Sequence, residues 1–314
     1  MKLGVVMDPI SSINFKKDST LTILLEAQSR GHELYYMEPT SLFLKENGAF
    51  ALTHSLVVKD NPENWYELAQ STETDLSYMD MILMRQDPPF DSNYIYNTYV
   101  LEMAEKNDVK VINKPRSLRD CNEKVFTTQF PQCCTSFMVA SDNSLLRRFI
   151  EMHKDTVVKP LDGMGGSSIF RVRNTDPNVA VILENVTENS STKVMIQKYI
   201  PEITEGDKRI ILINGIPMGG AIARVPSKGE LRGNLAAGAT AVAKSLTSRD
   251  LWICNEVGQT LKDLGLVLVG LDVIGDYLTE INVTSPTCFQ EYKNLCDIDV
   301  ASSLLNDLEG MLSK

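Results

Sequence analysis

The sequence predicts a protein of the α/β and α+β classes, with an amino-terminal α/β domain, a small central α+β unit and a carboxy-terminal sheet. Three observations support this architecture. Strand-like and helix-like runs alternate at the start of the chain, a helix-like stretch precedes two strand-like runs in the middle, and strand-like runs recur from Val194 onward. A chain of 314 residues is long enough for two or three compact units with cores of their own.

The start of the chain has the pattern of an α/β domain. An apolar run at residues 3–7 is followed by a helix-like stretch at 21–30, which stops at Gly31, and by strand-like runs at 33–37 and 81–84. Such an alternation of strands and helices is typical of a sheet covered by helices.

Polar residues gather directly after the run at 81–84. Arg85, Gln86 and Asp87 stand there, before the Pro88-Pro89 pair. Ligands of open α/β sheets usually bind at the carboxyl ends of the strands, so this position predicts a substrate crevice. The alternative is a solvated loop without a ligand.

The polar segment 113–124 (NKPRSLRDCNEK) separates this domain from the next unit. We therefore divide the chain into an amino-terminal substrate domain at 1–120, a central unit at 121–200 and a carboxy-terminal domain at 201–314. Between the later strand-like runs, Asn214-Gly215 predicts a hairpin turn because both residues accept positive φ. The remaining predicted elements are a helix at 144–153 and strands at 156–160, 169–172, 194–200, 209–213, 219–225, 266–272 and 277–283.

The composition is that of an ordinary globular protein, with 43% hydrophobic and 23% charged residues. A formal net charge of -10 disfavours broad contact with nucleic acid or anionic lipid, so we expect neither as a partner. The longest apolar stretch is interrupted by Gly265, Gly270 and Asp272 and is far shorter than the ~20 residues of a membrane helix.

The cellular location is also indicated by simple patterns. The apolar start MKLGVVMDPI ends at Asp8 and Pro9, too early for a signal peptide, which predicts a cytoplasmic protein. The six cysteines follow no disulfide or metal-ligand spacing, so we expect reduced thiols. The three histidines form no motif, which argues against a zinc site.

The first motif that indicates chemistry is VVKPLDGMGGSSIFRV at residues 157–172. Gly163, Gly165 and Gly166 free the backbone to approach an anion, and Lys159 adds a positive charge, so the loop is suited to phosphates. It matches neither the Walker pattern nor the Rossmann fingerprint. A flexible hairpin tip remains the alternative, because glycine often marks turns.

The second motif is GLDVIGDYLTEINVTSPT at residues 270–287. Glu280 and Asn282 are two apart in a strand and point to the same face. A three-residue hairpin loop at 275–277 places Asp272 directly opposite Glu280. These oxygen ligands suit a nucleotide-bound Mg²⁺, and acidic residues in an apolar setting need a partner. The alternative is an exposed polar hairpin face.

The third motif, at residues 223–243, contains Gly229, Gly233 and Gly238 and few apolar anchors. It predicts a mobile loop rather than a packed element, either a lid that carries Arg232 or an ordinary surface loop. Further basic candidates for phosphate or carboxylate binding lie at the edges of apolar runs: Lys124, Arg209 and Arg224.

Together these motifs resemble the ATP-grasp ligases. The resemblance rests on KPLDGMGGSSIF at 159–170, QKYI at 197–200, GDKR at 206–209, RGNLAAG at 232–238 and LDVIGDYLTEINVTSPT at 271–287. Within that superfamily, MDPI at 7–10, MRQDPPFD at 84–91 and NKPRSLRDCNEK at 113–124 are similar to the bacterial glutathione synthetase family. The similarity covers nearly the whole chain.

The resemblance implies an ATP-grasp fold, with an amino-terminal pre-ATP-grasp domain, a central lid domain and ATP held between that domain and the carboxy-terminal sheet. It also implies a role for each matching residue. The expected nucleotide-binding residues are Lys124, Lys159, Gly163, Gly165, Gly166, Ser167, Gln197, Lys198, Tyr199, Ile200 and Asp207; the metal ligands are Asp272, Glu280 and Asn282; the catalytic residues are Arg209, Arg224 and Arg232; and the substrate contacts are Arg85, Asn234, Thr284, Ser285 and Thr287.

The reaction implied is phosphoryl transfer from ATP to γ-glutamylcysteine, followed by attack of glycine on the acyl phosphate to give glutathione, ADP and phosphate. Mg²⁺, or alternatively Mn²⁺, would assist, and relatives suggest a homo-oligomer, namely a tetramer. One alternative is an ATP-grasp ligase for another acid and amine. Another is a non-catalytic ATP-binding regulatory protein, although such a protein has less need of Arg209, Arg224, Glu280 and Asn282.

Overall fold

The computed structural model describes residues 1–163, 165–235 and 238–313. Met164 in the glycine-rich loop and Ala236-Ala237 in the RGNLAAG motif lie outside the described residues. Three sheets follow one another along the chain. No helix in the described ranges combines the length and the apolar character needed to cross a bilayer.

The first sheet is mixed, with strand order β3-β4-β2-β1-β7-β8, and β5 and β6 also pair with β4. Its central strand β1 runs parallel to both neighbours. Asp18 and Asp91 cap the first two helices by accepting hydrogen bonds from backbone N–H groups. The elements are β1 (Lys2–Val6), α1 (Ser19–Ser29), β2 (Glu33–Met37), β3 (Leu42–Lys45), β4 (Gly48–Val58), β5 (Tyr66–Leu68), β6 (Thr72–Asp75), β7 (Met81–Met84), α2 (Ser92–Glu105), β8 (Lys110–Ile112) and α3 (Pro115–Asp120).

The second sheet is antiparallel, and its strand order is β11-β10-β12-β9. The pairing of Val158 with Phe170 makes β10 and β11 a hairpin whose tip is the glycine-rich loop. The glycine-rich loop therefore extends from the end of two paired strands. The elements are β9 (Phe137–Ala140), α4 (Asn143–His153), β10 (Asp155–Pro160), β11 (Phe170–Arg173), α5 (Val179–Val186) and β12 (Val194–Lys198).

The third sheet is also antiparallel, in the order β16-β15-β13-β17-β18, and β14 pairs with β13. Asn214 and Gly215 have φ values of 49° and 79°, which confirms the predicted hairpin turn between β13 and β14. The elements are β13 (Asp207–Ile213), β14 (Ile216–Pro217), β15 (Ala221–Val225), β16 (Thr240–Lys244), α6 (Ser248–Asp263), β17 (Leu268–Ile274), β18 (Tyr277–Asn282), α7 (Phe289–Cys296) and α8 (Val300–Leu312).

The hydrophobic core joins the first and third sheets. One cluster combines Ile82 of β7 with Leu271 of β17, and a second combines Leu24 of α1 with Leu305 of α8. The second sheet packs against α4 and α5 in a cluster of its own. The first and third sheets therefore form one continuous frame, and the middle sheet is a separately packed body. The division into domains at 120 and 200 stays a prediction.

The predicted mobile loop at 223–243 is too long, because its first three residues belong to the strand predicted at 219–225 and its last four to a strand that was not predicted. β15 continues to Val225, and β16 begins at Thr240, directly opposite it. Backbone pairing along the edge of a sheet outweighs the weak strand preference of small residues such as Ala241 and Ala243. The connecting loop is therefore limited to residues 226–239, which we call the lid loop.

All six cysteines lie in the described part of the chain, and none of them forms a disulfide. Five are buried, and Cys296 is half-buried. The expectation of reduced thiols stays a prediction.

Candidate active site

A cleft of about 580 Å³ lies between the middle and third sheets. Its walls are formed by the glycine-rich loop, β10 and β12 on one side and by β13, β15, β17 and β18 on the other, with the lid loop above. Every predicted site residue except Arg85 lines this cleft. Residues from distant parts of the sequence thus meet at one place.

Two lysines lie at the base of the glycine-rich loop. Lys124 Nζ donates a hydrogen bond to the Gly163 carbonyl at 2.8 Å, and Lys159 Nζ donates to the Thr279 carbonyl at 3.1 Å. Both side chains are buried, and burial lowers the pKa of Lys159 although Glu280 opposes the shift. Two cations beside a glycine-rich turn form a suitable environment for phosphate oxygens.

The lid loop lies against the glycine-rich loop. Gly165 and Gly166 adopt left-handed φ values of 63° and 80°. A Cβ atom at Gly166 would lie 2.4 Å from Asn234 Oδ1 and 3.0 Å from Arg232 Cδ. Arg232 also pairs with Glu230 at 2.6 Å. The glycine at 166 is therefore required for the close approach of the two loops over the cleft.

The strands β17 and β18 bring the predicted metal ligands together. Asp272 pairs with Glu280, as predicted, but the predicted three-residue loop is wrong. The turn has two residues, Gly275 and Asp276, and a bulge at Thr279 supplies the extra residue that shifts the register. Asp272 and Glu280 therefore lie opposite each other because of the two-residue turn and the bulge, and not because of a three-residue loop.

Glu280 and Asn282 suit a divalent cation. Glu280 Oε1 lies 3.8 Å from Lys124 Nζ and 3.6 Å from Lys159 Nζ, beyond hydrogen-bond distance. Burial opposes its ionisation, but the two lysines outweigh burial and hold the pKa of Glu280 below its usual value. Asn282 Nδ2 donates to the Gly270 carbonyl at 3.0 Å, which leaves Oδ1 as the free acceptor. A carboxylate and an amide oxygen on one strand match a cation that shares phosphate oxygens.

The third predicted ligand, Asp272, is paired with two arginines. Arg209 contacts its carboxylate at 2.6 and 3.1 Å, and Arg224 contacts it at 2.8 Å. Arg224 also pairs with Asp207. Burial disfavours the charge on Asp272, but the guanidinium groups outweigh burial and hold its pKa well below the usual range. Within the described ranges, no three His, Cys, Asp or Glu side chains form a metal-binding group.

Two buried polar atoms on the cleft wall have no hydrogen-bond partner among the described residues: Gln197 Nε2 and Asp207 Oδ1. Burial raises the pKa of Asp207 to about 6, although Arg224 opposes the shift. Beside them, the Arg171 guanidinium lies 3.6 Å from the centre of the Tyr199 ring. A buried donor and a buried acceptor without partners indicate that a polar ligand belongs here.

Arg85 lies outside the cleft wall. Its Nε donates to Thr20 Oγ1 at 3.1 Å, and its Nη2 donates to the Pro286 carbonyl at 3.0 Å. It borders a separate void of about 10 Å³, room for one water at most. In this geometry Arg85 supports the loop that carries Ser285 and Thr287, and its direct contact with substrate stays a prediction.

Asp87, which belongs to the predicted substrate crevice, also lines the cleft, whereas Glu123 and Cys288 are cleft residues that the sequence patterns did not indicate. Asp87 stands in the motif MRQDPPFD, and its backbone N–H donates to Asp8 Oδ2 at 2.8 Å. Glu123 precedes Lys124 directly, but its partner Thr284 is 161 residues away along the chain, a distance that no local pattern spans.

Solved structures share this fold at low sequence identity. The ATP-grasp ligase PsnB, complexed with minimal precursor, Mg and ADP, aligns with a TM-score of 0.65 at 15% identity over 99% of this chain and 98% of that chain. The D-cycloserine synthetase DcsG aligns with a TM-score of 0.69 at 14% identity over 99% of both chains. The family model for the ATP-grasp domain of prokaryotic glutathione synthetase matches residues 123–297. Fold and cleft together define an ATP-dependent ligase of the ATP-grasp class.

The family follows from closer relatives. The family model for the N-terminal domain of prokaryotic glutathione synthetase matches residues 1–119. Glutathione synthetase of Pseudomonas aeruginosa is 51% identical over 313 residues, which cover 100% of this chain and 99% of the relative. The enzyme of Escherichia coli O6:H1 is 48% identical over 314 residues, which cover 100% and 99%. The chain belongs to the prokaryotic glutathione synthetase family, and the predicted family is confirmed.

Proposed function

We propose that this protein is a glutathione synthetase, which joins γ-glutamylcysteine to glycine and converts ATP to ADP and phosphate. The observation that carries the proposal is the 51% identity to a glutathione synthetase over both the substrate domain and the ATP-grasp domain. The fold alone would not choose the substrates, because DcsG shares it and is a D-cycloserine synthetase.

The cleft supports a position for the nucleotide. Lys124, Lys159 and the loop at Gly163 to Ser167 would hold the phosphates, as their charges and open backbone suggest. Asp207 Oδ1 would accept a hydrogen bond from a ribose hydroxyl, and the segment Gln197 to Ile200 would bind the adenine. This placement gives partners to both unpaired buried atoms.

A divalent cation would be held by Glu280 and Asn282, with Asp272 adjacent. We propose Mg²⁺, with Mn²⁺ as the alternative, and the PsnB complex with Mg and ADP supports Mg²⁺. When bound, the cation would offset negative charge on the transferring phosphoryl group.

In the first step, the cysteinyl carboxylate of γ-glutamylcysteine attacks the γ-phosphorus of ATP. The bond between this phosphorus and the β-phosphate oxygen breaks, and ADP leaves. The glycine amine then attacks the acyl carbon, loses a proton and displaces phosphate. Arg209 and Arg224 lie buried on the cleft wall, where their guanidinium groups can stabilise the oxygens of the carboxylate and of the acyl phosphate. Arg232 and Asn234, on the lid loop, would contact the reacting groups and exclude water.

A cytoplasmic location and a homotetrameric assembly complete the proposal. The six unpaired cysteines support a reducing compartment. Light scattering of the purified protein after size-exclusion chromatography would measure the assembly, and a mass near four times 35.0 kDa is expected.

The test of the function is metal-dependent release of ADP with γ-glutamylcysteine and glycine together and with each omitted. We expect release that needs both substrates and gives glutathione by mass spectrometry. Parallel reactions with Mg²⁺, Mn²⁺ or a chelator would identify the metal. Turnover only with another acid and amine would replace the substrates, and nucleotide binding without any turnover would favour a regulatory protein.

A further inference from the structure

The segment Asn122 to Lys124 connects two parts of the cleft. Asn122 Nδ2 donates to the Leu161 carbonyl at 3.2 Å, and Lys124 Nζ donates to the Gly163 carbonyl at 2.8 Å. Both side chains therefore bind the glycine-rich loop. Glu123, between them, bonds to a different element.

Glu123 holds the end of β18 and the loop that follows it. Its Oε1 accepts three hydrogen bonds: from Val283 N–H at 3.0 Å, from Thr284 N–H at 3.1 Å and from Thr284 Oγ1 at 2.8 Å. Its backbone carbonyl accepts another from Ile281 N–H at 2.9 Å. Removal from bulk water raises the pKa of Glu123, and the bonds from Thr284 oppose this shift. Hydrogen bonds to a carboxylate are stronger than neutral ones, so these contacts fix the loop.

The loop held by Glu123 has a defined place in the cleft. It follows the metal-side residue Asn282 and carries Thr284, Ser285 and Thr287, which all line the cleft wall. The neighbouring Lys124 lies on the phosphate side. One residue thus connects the part of the cleft suited to phosphates with the part expected to hold the dipeptide.

We propose that Glu123 is a positioning residue, which sets the loop at 283–287 relative to Lys124 so that the dipeptide carboxylate meets the γ-phosphate in line. The inference rests on the proposed function. Phosphoryl transfer depends on the alignment of attacking and leaving oxygens, and a misplacement of ~1 Å can cost about 100-fold in rate.

Three variants test this role. Glu123→Ala removes the acceptor, and we expect a loss of about 100-fold in kcat together with a raised KM for γ-glutamylcysteine, while the KM for ATP changes by less than about threefold. Glu123→Gln keeps an oxygen in place and should recover to within about tenfold of wild type. Glu256→Ala, an exposed carboxylate on α6, is the control and should behave as wild type.

A double-mutant cycle shows whether Glu123 acts through Thr284. Thr284→Val removes one of the three donors, and the pair Glu123→Ala/Thr284→Val should be no worse than Glu123→Ala alone. Additive losses, or an equal rise in KM for ATP and dipeptide, would overturn the inference. If Glu123→Ala does not fold, the cycle is made with Glu123→Met, which also lacks the acceptor oxygens but fills a similar volume. Wild-type protein that forms no glutathione would overturn the proposed function as well, whereas active wild type with unaffected variants overturns this inference alone.

Discussion

Asp155 and Arg171 form a paired charge at the start of β10. Arg171 donates to the two carboxylate oxygens at 2.8 and 2.6 Å, and it also lies over the Tyr199 ring. The hydrogen bonds from Arg171 hold the pKa of Asp155 below the ordinary value of 3.8. A two-point contact of this kind is the surface geometry that contributes measurably to stability.

Asp155→Asn should lower the free energy of unfolding by about 1 kcal/mol at pH 7. The pKa of Asp155 is lower in the folded state than in the unfolded state, so the ionised carboxylate stabilises the fold above pH 3.8. This stabilisation is lost progressively as the pH falls below 3.8. Urea unfolding between pH 3 and pH 7 would measure it, with Glu151→Gln, in an exposed pair, as control. A difference that did not shrink between pH 7 and pH 3 would contradict the explanation.

Asp207→Asn tests the position of the nucleotide. The substitution replaces the charged acceptor, and loss of one charge-assisted hydrogen bond should weaken ATP binding by about tenfold at pH 7.5. Isothermal titration with a non-hydrolysable ATP analogue would measure the affinity. The exposed Asp276→Asn is the control, and an affinity for Asp207→Asn equal to that control would remove Asp207 from the ribose site.

Residue patterns in the sequence located most of the cleft. Glu280 and Asn282 could be placed on one face of the sheet from their spacing alone. The glycines in the segment 163–166 predicted a close approach of the backbone to an anion. The ion pairs of Asp272 with Arg209 and Arg224 could not be predicted, because they depend on the register of three strands. Glu123 could not be predicted either, because its partner Thr284 is 161 residues away along the chain.

At the scale of elements, strands that carry continuous apolar runs were predicted closely. The runs at 33–37 and 81–84 coincide with β2 and β7. The bulge at Thr279 could not be predicted from the sequence pattern, because it depends on tertiary contacts. One of these is the hydrogen bond that Lys159 Nζ donates to the Thr279 carbonyl. The helices α6 and α8 were not predicted, because neither contains one of the motifs from which the site was predicted.

The contact between the glycine-rich loop and the lid loop can be tested with two neighbouring glycines. Gly166→Ala would place a methyl group 2.4 Å from Asn234 Oδ1, whereas a methyl group at Gly165 meets no atom of the described residues within 4 Å. Both alanines carry the similar cost of about 1 kcal/mol for a left-handed backbone. We expect Gly166→Ala to lose at least about tenfold more kcat/KM than Gly165→Ala. Equal losses would show that backbone strain, and not loop contact, is responsible.

At the scale of the whole molecule, the end of the chain returns to its beginning. Helix α8 packs on α1, and Arg30, the residue that follows α1, donates to the Ser302 carbonyl at 3.0 Å. The sequence predicted three successive units but not this closure, because apolar stripes show that a helix is buried without showing what covers it. The shared core joins the first and third sheets into one frame, and the middle sheet keeps a core of its own.

Leu305→Ala should destabilise this frame by about 2–5 kcal/mol, because the leucine is fully buried and its removal leaves a cavity. Leu312→Ala, near the end of the same helix at 39% exposure, should cost less than about 0.5 kcal/mol. Thermal and urea unfolding would give both values. The kcat of folded Leu305→Ala protein should match wild type, since α8 lies away from the cleft. A change of less than about 0.5 kcal/mol in the free energy of unfolding would mean that α8 is not part of the core.

The buried cysteines bear on how the protein withstands oxidants. Burial raises the pKa of all six thiols, to about 11 for Cys121, Cys133 and Cys134. Protonated, enclosed thiols react slowly with peroxide, so activity should survive a treatment that oxidises small thiols in the same solution. Enzymes of this family manufacture a thiol. Because the thiols of this protein resist oxidation without help from glutathione, the enzyme can resume glutathione synthesis after glutathione has been consumed.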